Sequence, residues 1–257
     1  MKNKNDIIAD EQGEPDVPAL VVDRVRKVFG DRAILDDFSL IVKKGENVVV
    51  LGKSGAGKSV LIKCIIGLLT PDSGEIKVLG ENVVGLKHIE LDRIRTRIGF
   101  LFQGNAIYDS MSVRENLEFP LRRHWFDLSQ QKIDSMVTEA LENVNLLPTI
   151  DMMPSELSGG MLKRVALART MILKPDIILY DEPTTGLDPV TARGIDALIV
   201  SLHRKYRTAA IIISHDMNCV KNTSDRVVLL LDGKCYAAGT YEEFENSSDE
   251  KIKQFFE

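Results

Sequence analysis

A glycine-rich run that ends in lysine and serine has the clearest chemistry in this 257-residue sequence. Residues 52–59 read GKSGAGKS, which fits the pattern G-x-x-x-x-G-K-S, and they lie between an apolar run and a segment of helical periodicity. Glycines let successive backbone N–H groups turn towards phosphate oxygens, and the N-terminus of the following helix adds partial positive charge. Lys58 is expected to reach the β- and γ-phosphates, and Ser59 to bind Mg²⁺. These residues predict a nucleoside triphosphate site.

Two carboxylates at the end of a second apolar run supply groups that phosphate chemistry needs. The run at residues 177–180 ends in Asp181 and Glu182, and parallel strands place ligands at their carboxyl ends, beside the phosphate loop. Asp181 suits the Mg²⁺ shell, whereas Glu182, which points elsewhere, suits a general base for the attacking water. An apolar strand ending in Asp-Glu is common, and alone it would indicate a solvated strand end. Its pairing with the phosphate loop favours the catalytic interpretation.

A serine followed by two glycines begins another predicted helix, which runs to about Leu173. Ser158 is a residue type that caps helix N-termini, and Gly159 and Gly160 permit the close approach of an anion. Alone, this pattern would indicate an ordinary capped helix.

The segments that position these residues alternate between strands and helices, which indicates a parallel sheet. Strands are predicted at residues 20–22, 40–42, 48–51, 177–180 and 209–213, with early turns at 30–31 and 44–46. A helix is expected from about residue 58 to residue 69, stopped by Pro71 and Gly74.

The middle of the chain, from about residue 90 to residue 173, is mostly helical in pattern and predicts a helical subdomain inserted into the α/β core. With Ser129 as the N-cap, apolar residues recur at helical spacing in the set Ile133, Met136, Val137, Ala140, Leu141 and Val144. Such a stripe packs a core. The expected boundaries are a disordered arm at 1–18, one catalytic domain at 19–245 and a C-terminal tail at 246–257.

Composition and charge argue against several classes of protein. The formal net charge of −5 gives no overall basic footprint for nucleic acid. No apolar run reaches the roughly 18 residues of a membrane span, and the polar, acidic start lacks the apolar stretch of a signal peptide. Cys64, Cys219 and Cys235 have no metal-ligand spacing and are expected to be reduced, small hydrophobic residues.

Six motifs in this order resemble those of ABC-transporter nucleotide-binding subunits, over essentially residues 19–245. The matching positions are residues 52–59 for the Walker A loop, Gln103 for the Q-loop, 157–160 for the signature, Asp181 and Glu182 for Walker B and the catalytic glutamate, 186–188 for the D-loop and His215 for the switch histidine. The resemblance implies an α/β fold, a P-loop NTPase of the ABC ATPase type. Its mainly parallel core sheet would carry an N-terminal antiparallel β region and an inserted helical subdomain.

The resemblance also implies roles for single residues. Phe29 would stack on adenine, although a Phe on a strand can also belong to the core. Gln103 would sense Mg²⁺ or the attacking water and relay the nucleotide state to a permease, and His215 would hydrogen-bond the γ-phosphate. Each ATP would lie between the phosphate loop of one protomer and the signature of the other, so that Ser158 and Gly160 serve the partner's nucleotide.

Three sets of candidate residues follow, with ATP and Mg²⁺ as the cofactors. The catalytic set is Glu182, His215 and Gln103, and the metal set is Ser59, Gln103 and Asp181. The nucleotide-binding set is Phe29, Gly52, Lys53, Ser54, Gly55, Ala56, Gly57, Lys58, Ser59, Val60, Ser158, Gly159, Gly160 and Asp188.

Two longer stretches resemble one branch of the family, the ATPases that work with MCE-domain proteins in bacterial phospholipid trafficking (the Mla type). Residues 102–113 read FQGNAIYDSMSV, and residues 154–161 read PSELSGGM. Two departures stand out: Gly104-Asn105 is not the commonest pair in that branch, and Met161 stands where most of the family has Gln. The methionine removes a polar group near the partner's nucleotide.

The branch implies an ATP-binding and hydrolysing subunit that energises phospholipid transport and is a homodimer in the ATP-bound state. The expected partners are transmembrane permease subunits, gripped by residues 103–123, and an MCE-domain lipid-binding protein. Nucleic acid is not an expected partner. The expected location is cytoplasmic, peripheral on the inner face of the cytoplasmic membrane.

Three alternatives remain open at this point. A transporter of an amino acid, a metal or a drug would share the nucleotide motifs, and only residues 103–123 and Met161 speak against it. A non-transport ABC ATPase acting on DNA or ribosomes usually has long coiled coils or two fused ATPase domains, and the sequence shows neither. An inactive scaffold is at odds with the joint presence of Lys58, Asp181, Glu182 and His215.

Overall fold

A six-stranded sheet forms the centre of the computed structural model, which describes residues 17–125 and 127–256. Its strands are β3 (Asn47–Leu51), β6 (Ile98–Leu101), β7 (Ile177–Asp181), β8 (Ala209–Ile213), β9 (Arg226–Leu231) and β10 (Lys234–Gly239). They lie in the order β10-β9-β3-β8-β7-β6, and all neighbours are parallel except β10 and β9. Residues 1–16 of the predicted arm lie outside the described residues.

A four-stranded antiparallel sheet contains the N-terminal strands. Its members are β1 (Leu20–Phe29), β2 (Arg32–Val42), β4 (Ser73–Val78) and β5 (Glu81–Asn82), in the order β2-β1-β4-β5. The β1–β2 hairpin turns at Gly30, which has a φ of 57°. β1 and β2 are much longer than the predicted three-residue runs. The apolar pattern marks only a part of each strand, because many of the other residues are polar and face solvent. The two sheets confirm the predicted fold class.

Nine α-helices occur in the described part of the chain. They are α1 (Lys58–Ile65), α2 (His88–Arg95), α3 (Val113–His124), α4 (Gln130–Asn143), α5 (Gly159–Met171), α6 (Pro189–Tyr206), α7 (Met217–Thr223), α8 (Tyr241–Glu245) and α9 (Glu250–Lys253). Ser129 caps α4 through the Lys132 N–H, and the predicted apolar stripe of that helix is buried. None of these helices is long and apolar enough to cross a membrane.

The six-stranded sheet is buried on both faces, as its continuous apolar strands predict. Val49 and Leu51 pack into one hydrophobic cluster together with α4, α5 and α6, whereas Val48 and Val50 pack into a second cluster with α1 and the antiparallel sheet. Successive side chains of a strand point to opposite faces, so one strand supplies both clusters. The sheet is therefore held rigidly, which fixes the positions of its strand ends.

The structure corrects the start of the predicted helical insertion. Residues 90–173 are not helical throughout, because β6 lies among them and pairs with β7 as a strand of the core sheet. β6 has only four residues, one of them Gly99. A Cβ at Gly99 would lie 2.8 Å from Thr170 Cγ2 and 3.0 Å from the Thr170 carbonyl oxygen. Glycine at this position lets α5 approach the strand closely, and it also weakens the strand pattern in the sequence.

Two further expectations need correction or extension. α1 ends at Ile65, four residues before the predicted end, because Gly67 adopts a φ of 67° and the Leu68 N–H bonds back to the Lys63 carbonyl. The segment predicted only as a C-terminal tail contains α9, whose Ile252 is buried in the main core cluster.

Candidate nucleotide-binding and catalytic site

Four parallel neighbouring strands end at the same edge of the central sheet, and each is followed by a candidate segment. β3 leads into the phosphate loop, β7 ends at Asp181, β8 precedes His215, and β6 precedes Gln103. The order β3-β8-β7-β6 makes these segments neighbours although they are far apart in sequence. Topology alone therefore assembles the site at the carboxyl edge of the sheet.

An open cleft of about 570 Å³ lies at this edge. Its walls bring together eleven of the predicted residues, namely Phe29, Ser54, Gly55, Gly57, Lys58, Ser59, Val60, Gln103, Asp181, Glu182 and His215. Ile34 and Ile213, which sequence analysis did not single out, complete the lining. The volume lies in the range that binds a nucleotide-sized ligand.

The phosphate loop has a backbone shape that requires glycine at defined positions. Gly55 and Gly57 have φ values of 76° and 106°. A Cβ at Gly57 would lie 2.9 Å from the Ile34 carbonyl oxygen, and one at Gly52 would lie 2.8 Å from the Leu230 carbonyl oxygen. Gly57 is the N-cap of α1 and offers no side chain to the first N–H groups of the helix. These donors are therefore open to an anion in the cleft.

Lys58 is held by the loop that it belongs to. Its ammonium donates to the Gly52 carbonyl at 2.6 Å and to the Lys53 carbonyl at 3.1 Å. Burial lowers the pKa of Lys58, and the nearby Glu182 and Asp181 carboxylates oppose this shift. The side chain thus places a cation at the floor of the cleft, where phosphate oxygens would complete its hydrogen bonds.

Asp181, Ser59 and Gln103 form the predicted metal set, and their donors fit Mg²⁺. The Ser59 hydroxyl lies 3.5 Å from Asp181 Oδ1, and Gln103 lines the same cleft. Burial raises the pKa of Asp181, and the neighbouring Glu182 carboxylate raises it further. A hydroxyl, an amide and one carboxylate are oxygen ligands of the kind that Mg²⁺ prefers together with phosphates. The described part of the chain contains no group of three or more His, Cys, Asp or Glu residues that could hold a metal ion.

Glu182 is the most tightly oriented carboxylate of the site. Its Oε2 accepts a hydrogen bond from the Thr185 hydroxyl at 3.1 Å and lies 2.8 Å from His215 Nδ1. When the carboxylate is ionised, the hydrogen in this second contact belongs to His215. The Glu182 backbone has a φ of 52°, and its N–H bonds the Ile213 carbonyl of β8. The chain turns sharply here, and the two carboxylates have different partners: Asp181 contacts Ser59, whereas Glu182 contacts Thr185 and His215.

Four predicted residues lie on another surface of the chain, at the starts of α5 and α6. Ser158 and Gly159 are exposed at the start of α5, where the Ser158 hydroxyl accepts from the Met161 N–H at 3.3 Å. Asp188 caps α6 and accepts from the Val190 and Thr191 N–H groups, both at 3.0 Å. A Cβ at Gly160 would lie 2.6 Å from Thr191 Cγ2, so the two helix starts touch. The signature and the D-loop therefore form one surface separate from the cleft.

Four other predicted residues, three in the phosphate loop and one at the end of β1, need separate comment. Gly52, Lys53 and Ala56 belong to the phosphate loop but do not line the cleft, and the Lys53 ammonium donates to Gln254 Oε1 at 3.1 Å. Phe29 is 47% exposed at the cleft wall, which rules out the core position that the sequence left open.

Sequence reasoning missed two residues that support the site. Thr185 bonds Glu182, and Lys163 donates to the Gln103 carbonyl at 3.0 Å. Thr185 lies three residues after Glu182, so its position just past the strand end was a usable signal. Lys163 lies on a helix far from Gln103 in sequence, and no local pattern indicated that it would be buried.

Relatives of known name match most of the chain. Residues 35–185 match the family described as ABC transporter. The intermembrane phospholipid transport system ATP-binding protein MlaF of Haemophilus influenzae is 41% identical over 226 residues, 88% of this chain and 85% of that protein. The probable ribonucleotide transport ATP-binding protein mkl of Mycobacterium bovis is 36% identical over 247 residues, 96% of this chain and 68% of that protein.

A solved structure shares the fold. The dimeric structure of a post-hydrolysis state of the ATP-binding cassette MJ0796 bound to ADP and Pi has a TM-score of 0.78 and 30% identity, covering 86% of this chain and 98% of that one. The family match covers more than half of the chain, and its cleft holds a phosphate loop beside two carboxylates and a histidine. The chain therefore belongs to the ABC transporter family and is an ATPase.

Proposed function

We propose that this chain is the ATPase subunit that energises a bacterial phospholipid transporter, as a homodimer on the cytoplasmic face of the inner membrane. Its partners would be transmembrane permease subunits and an MCE-domain lipid-binding protein. The observation that carries the proposal is the 41% identity to MlaF over 88% of the chain. The test is to purify the intact membrane complex and to identify its bound lipids by mass spectrometry. Phospholipid enriched over the surrounding membrane supports the proposal.

A second substrate class is supported by one specific relative. The mycobacterial mkl protein, named for ribonucleotide transport, is 36% identical over 96% of this chain. The nucleotide cleft alone cannot separate the two substrates, because every ABC ATPase needs the same cleft. A complex that contains no enriched phospholipid and that binds ribonucleotides on its permease would favour this alternative.

The cleft supports a division of labour among its residues. The loop N–H groups and Lys58 would hold the triphosphate, and Phe29 would contact the base. Mg²⁺, when bound, would neutralise charge that develops on the phosphates, and Ser59, Asp181 and Gln103 would hold it. Glu182 would accept a proton from the attacking water. Thr185 and His215 keep its carboxylate in place through contacts of 3.1 and 2.8 Å, and His215 would in turn reach the γ-phosphate.

The signature surface supports a composite site. Ser158, Gly159 and Gly160 do not face the cleft of their own chain, yet Ser158 and Gly159 are exposed and suited to approach an anion. The ATP-binding cassette with ADP and Pi is dimeric. In a two-fold dimer, the signature of each protomer would close over the nucleotide held by the other.

Removal of the Phe29 ring should weaken ATP binding without an effect on phosphate binding. We expect Phe29→Ala to raise the Kd for ATP about ten-fold, because base–aromatic stacking contributes roughly 1–3 kcal/mol. The Kd for inorganic tripolyphosphate, which has no base, should stay unchanged, and Phe29→Trp should restore ATP binding. Isothermal titration of all three proteins measures this. Equal losses for ATP and tripolyphosphate would contradict a role in stacking.

The segment proposed to grip the permease has an exposed aromatic pair. Tyr108 is 42% exposed and Phe119 is 36% exposed, and their rings meet edge to face at 5.1 Å. Met111 is half-buried beside them, whereas Ile107 packs against the main core. Exposed aromatic side chains that are surrounded by a polar rim are typical of interface anchors. Only part of this apolar set is therefore available to a partner.

The loop that carries Tyr108 is held from beneath by Asn116 and Arg169. The Asn116 side chain is fully buried, accepts from the Tyr108 N–H at 2.9 Å and donates to the Tyr108 and Met111 carbonyls, both at 3.0 Å. Arg169 of α5 donates to Asn116 Oδ1 at 3.3 Å and lies under the Tyr108 ring at 5.1 Å. The proposed docking loop is thus preorganised, which lowers the entropy cost of binding.

A carboxylate placed in this patch should detach the subunit from its membrane complex. We expect Tyr108→Asp and Met111→Asp to weaken association about 100-fold, since an unpaired charge buried at an interface costs roughly 3 kcal/mol or more. Nucleotide binding by the free subunit should be unaffected. Pull-down with the native permease, alongside ATP titration, measures both effects.

Two features of the chain sharpen that experiment. A carboxylate at position 108 could pair with Arg169, so Met111→Asp is the cleaner variant. Tyr236→Asp is a matched control, because Tyr236 is 40% exposed and lies on β10, at the opposite edge of the sheet from β6. Full association of both docking variants would refute the interface, and loss of ATP binding would place these residues in the core.

A further inference from the structure

Lys163 is a lysine without access to water. It lies on α5, five residues after Ser158, and is only 2% exposed. Burial lowers its pKa, and the charge of the Asp181 carboxylate opposes this shift. Its ammonium makes one hydrogen bond within the described residues, to the Gln103 carbonyl at 3.0 Å. Of the three donors of the ammonium, the described protein groups therefore bind one.

Fold stability is a poor explanation for this lysine. Removal of an ammonium from water costs several kcal/mol, and one neutral carbonyl does not offset that cost. An apolar side chain of similar length would pack in the same space without this penalty. The role of Lys163 is therefore better explained by where its hydrogen bond lies, at the Gln103 carbonyl, than by a contribution of that bond to stability.

The Gln103 carbonyl, which Lys163 binds, lies just beyond the end of strand β6, where the hydrogen bonds of the sheet no longer hold the backbone. β6 ends at Leu101, and Gln103 follows two residues later, ahead of Asn105 and Ala106 with φ values of 62° and 53°. The Gln103 side chain lines the ATP cleft. Without a partner for its carbonyl, the Gln103 backbone would have more freedom to rotate and to withdraw the amide from the metal set.

α5 is a suitable base from which to fix this loop. The Thr170 hydroxyl donates to the Ala166 carbonyl of α5 at 2.8 Å and lies 3.4 Å from the Phe100 carbonyl of β6. Gly99 brings the strand so close that a Cβ there would lie 2.8 Å from Thr170 Cγ2. α5 and β6 are therefore closely packed, and the same helix begins at the signature. In the proposed dimer, the signature at the start of α5 would serve the partner's nucleotide, whereas Gln103 would serve the nucleotide of its own chain. A contact from α5 to Gln103 would therefore link the two sites.

We propose that Lys163 is a positioning residue for ATP hydrolysis, whose ammonium fixes the Gln103 backbone so that the Gln103 side chain is held in the cleft. The inference rests on the proposed role of Gln103 at the metal and the attacking water. It assigns no direct contact between Lys163 and ATP.

The test is a double-mutant cycle between Lys163→Met and Gln103→Ala in the intact transporter complex. Methionine is unbranched and only one atom shorter, so it fills most of the buried space but removes the charge and the donors. We expect Lys163→Met to lower kcat about ten-fold, to leave the KM for ATP within about two-fold and to raise the Mg²⁺ concentration that half-saturates the reaction, because a slight misplacement of a catalytic group is costly. Added to Gln103→Ala, the same change should lower kcat less than two-fold further, since coupled residues are not additive.

Matched variants separate positioning from general destabilisation. Thr170→Val removes the hydroxyl that lies 3.4 Å from the Phe100 carbonyl of β6, keeps the methyl group that contacts Gly99, and should leave kcat within about two-fold. Should Lys163→Met fail to fold, Lys163→Leu carries the same cycle, because leucine also lacks the charge and the donors.

Each outcome decides between the inference and the role on which it rests. If Gln103→Ala has normal turnover, the proposed role of Gln103 is wrong. If Gln103→Ala is slow but the effect of Lys163→Met is additive, Lys163 acts through the charge of Asp181 or through folding, and the inference fails. Equal losses in Thr170→Val and Lys163→Met would also overturn it.

Discussion

Glu182→Gln is expected to lower ATP turnover about 1,000-fold while the variant still binds MgATP, because loss of a general base costs roughly 10²–10⁴-fold in rate. Glutamine is nearly isosteric, and its amide oxygen can still accept from Thr185 and His215, which lie 3.1 and 2.8 Å from the native carboxylate. The phosphate loop and Lys58 are untouched, so the electrostatic cradle remains. Phosphate release and ATP titration measure the two effects.

The same variant should accumulate as an ATP-bound dimer, visible by size exclusion in the presence of MgATP. Lys58→Ala is the contrasting control, because it removes the cation at the floor of the cleft and should weaken nucleotide binding itself. Near-normal turnover in Glu182→Gln would show that Glu182 is not the base. A loss of ATP binding as large as that of Lys58→Ala would show that its carboxylate serves binding instead.

Much of the site could be predicted because its chemistry is encoded locally. Residue spacing and a preceding apolar strand identify two features: the phosphate loop with its glycines and Lys58, and the pair of carboxylates at the end of β7. Short-range patterns also predict the capping of α4 by Ser129 and of α5 by Ser158, both of which the structure confirms. These features need only the neighbouring ten residues or so to be recognised.

The features that sequence analysis missed depend on distant partners. β6 has four residues and a glycine, and it is a strand because β7 pairs with it and Thr170 packs against it. Lys163 resembles any helical surface lysine until α5 docks on the sheet and buries it. The end of α1 is encoded locally, because Gly67 is a residue type that ends helices, whereas Pro71 and Gly74 alone predict an end that is four residues too late.

Ser158→Arg is expected to abolish steady-state hydrolysis while each chain still binds ATP through its own phosphate loop. Ser158 is exposed and lies outside the cleft of its own chain, so a bulky cation there cannot disturb that cleft directly. It would block closure of the signature over the partner's γ-phosphate. The substitution also removes the hydroxyl that accepts from the Met161 N–H, a cap that contributes about 1 kcal/mol. Ser158→Ala loses the same cap without the bulk, and it should retain most turnover.

Mixed dimers of Ser158→Arg and Lys58→Ala chains test whether each nucleotide site is composite, with the phosphate loop of one protomer and the signature of the other. When one chain carries Ser158→Arg and its partner carries Lys58→Ala, both defects fall on the same composite site, and the other site is complete. When one chain carries both changes and its partner is unchanged, each site receives one defect. Differently tagged subunits, purified through both tags, give the two arrangements with identical composition. The first should occlude about one ATP per dimer in a Glu182→Gln background, and the second none, because closure needs one intact loop and one intact signature. The reverse result, with occlusion only in the second arrangement, would mean that Ser158 serves its own chain's nucleotide, and the composite site would be wrong. Equal occlusion in the two arrangements would also contradict it.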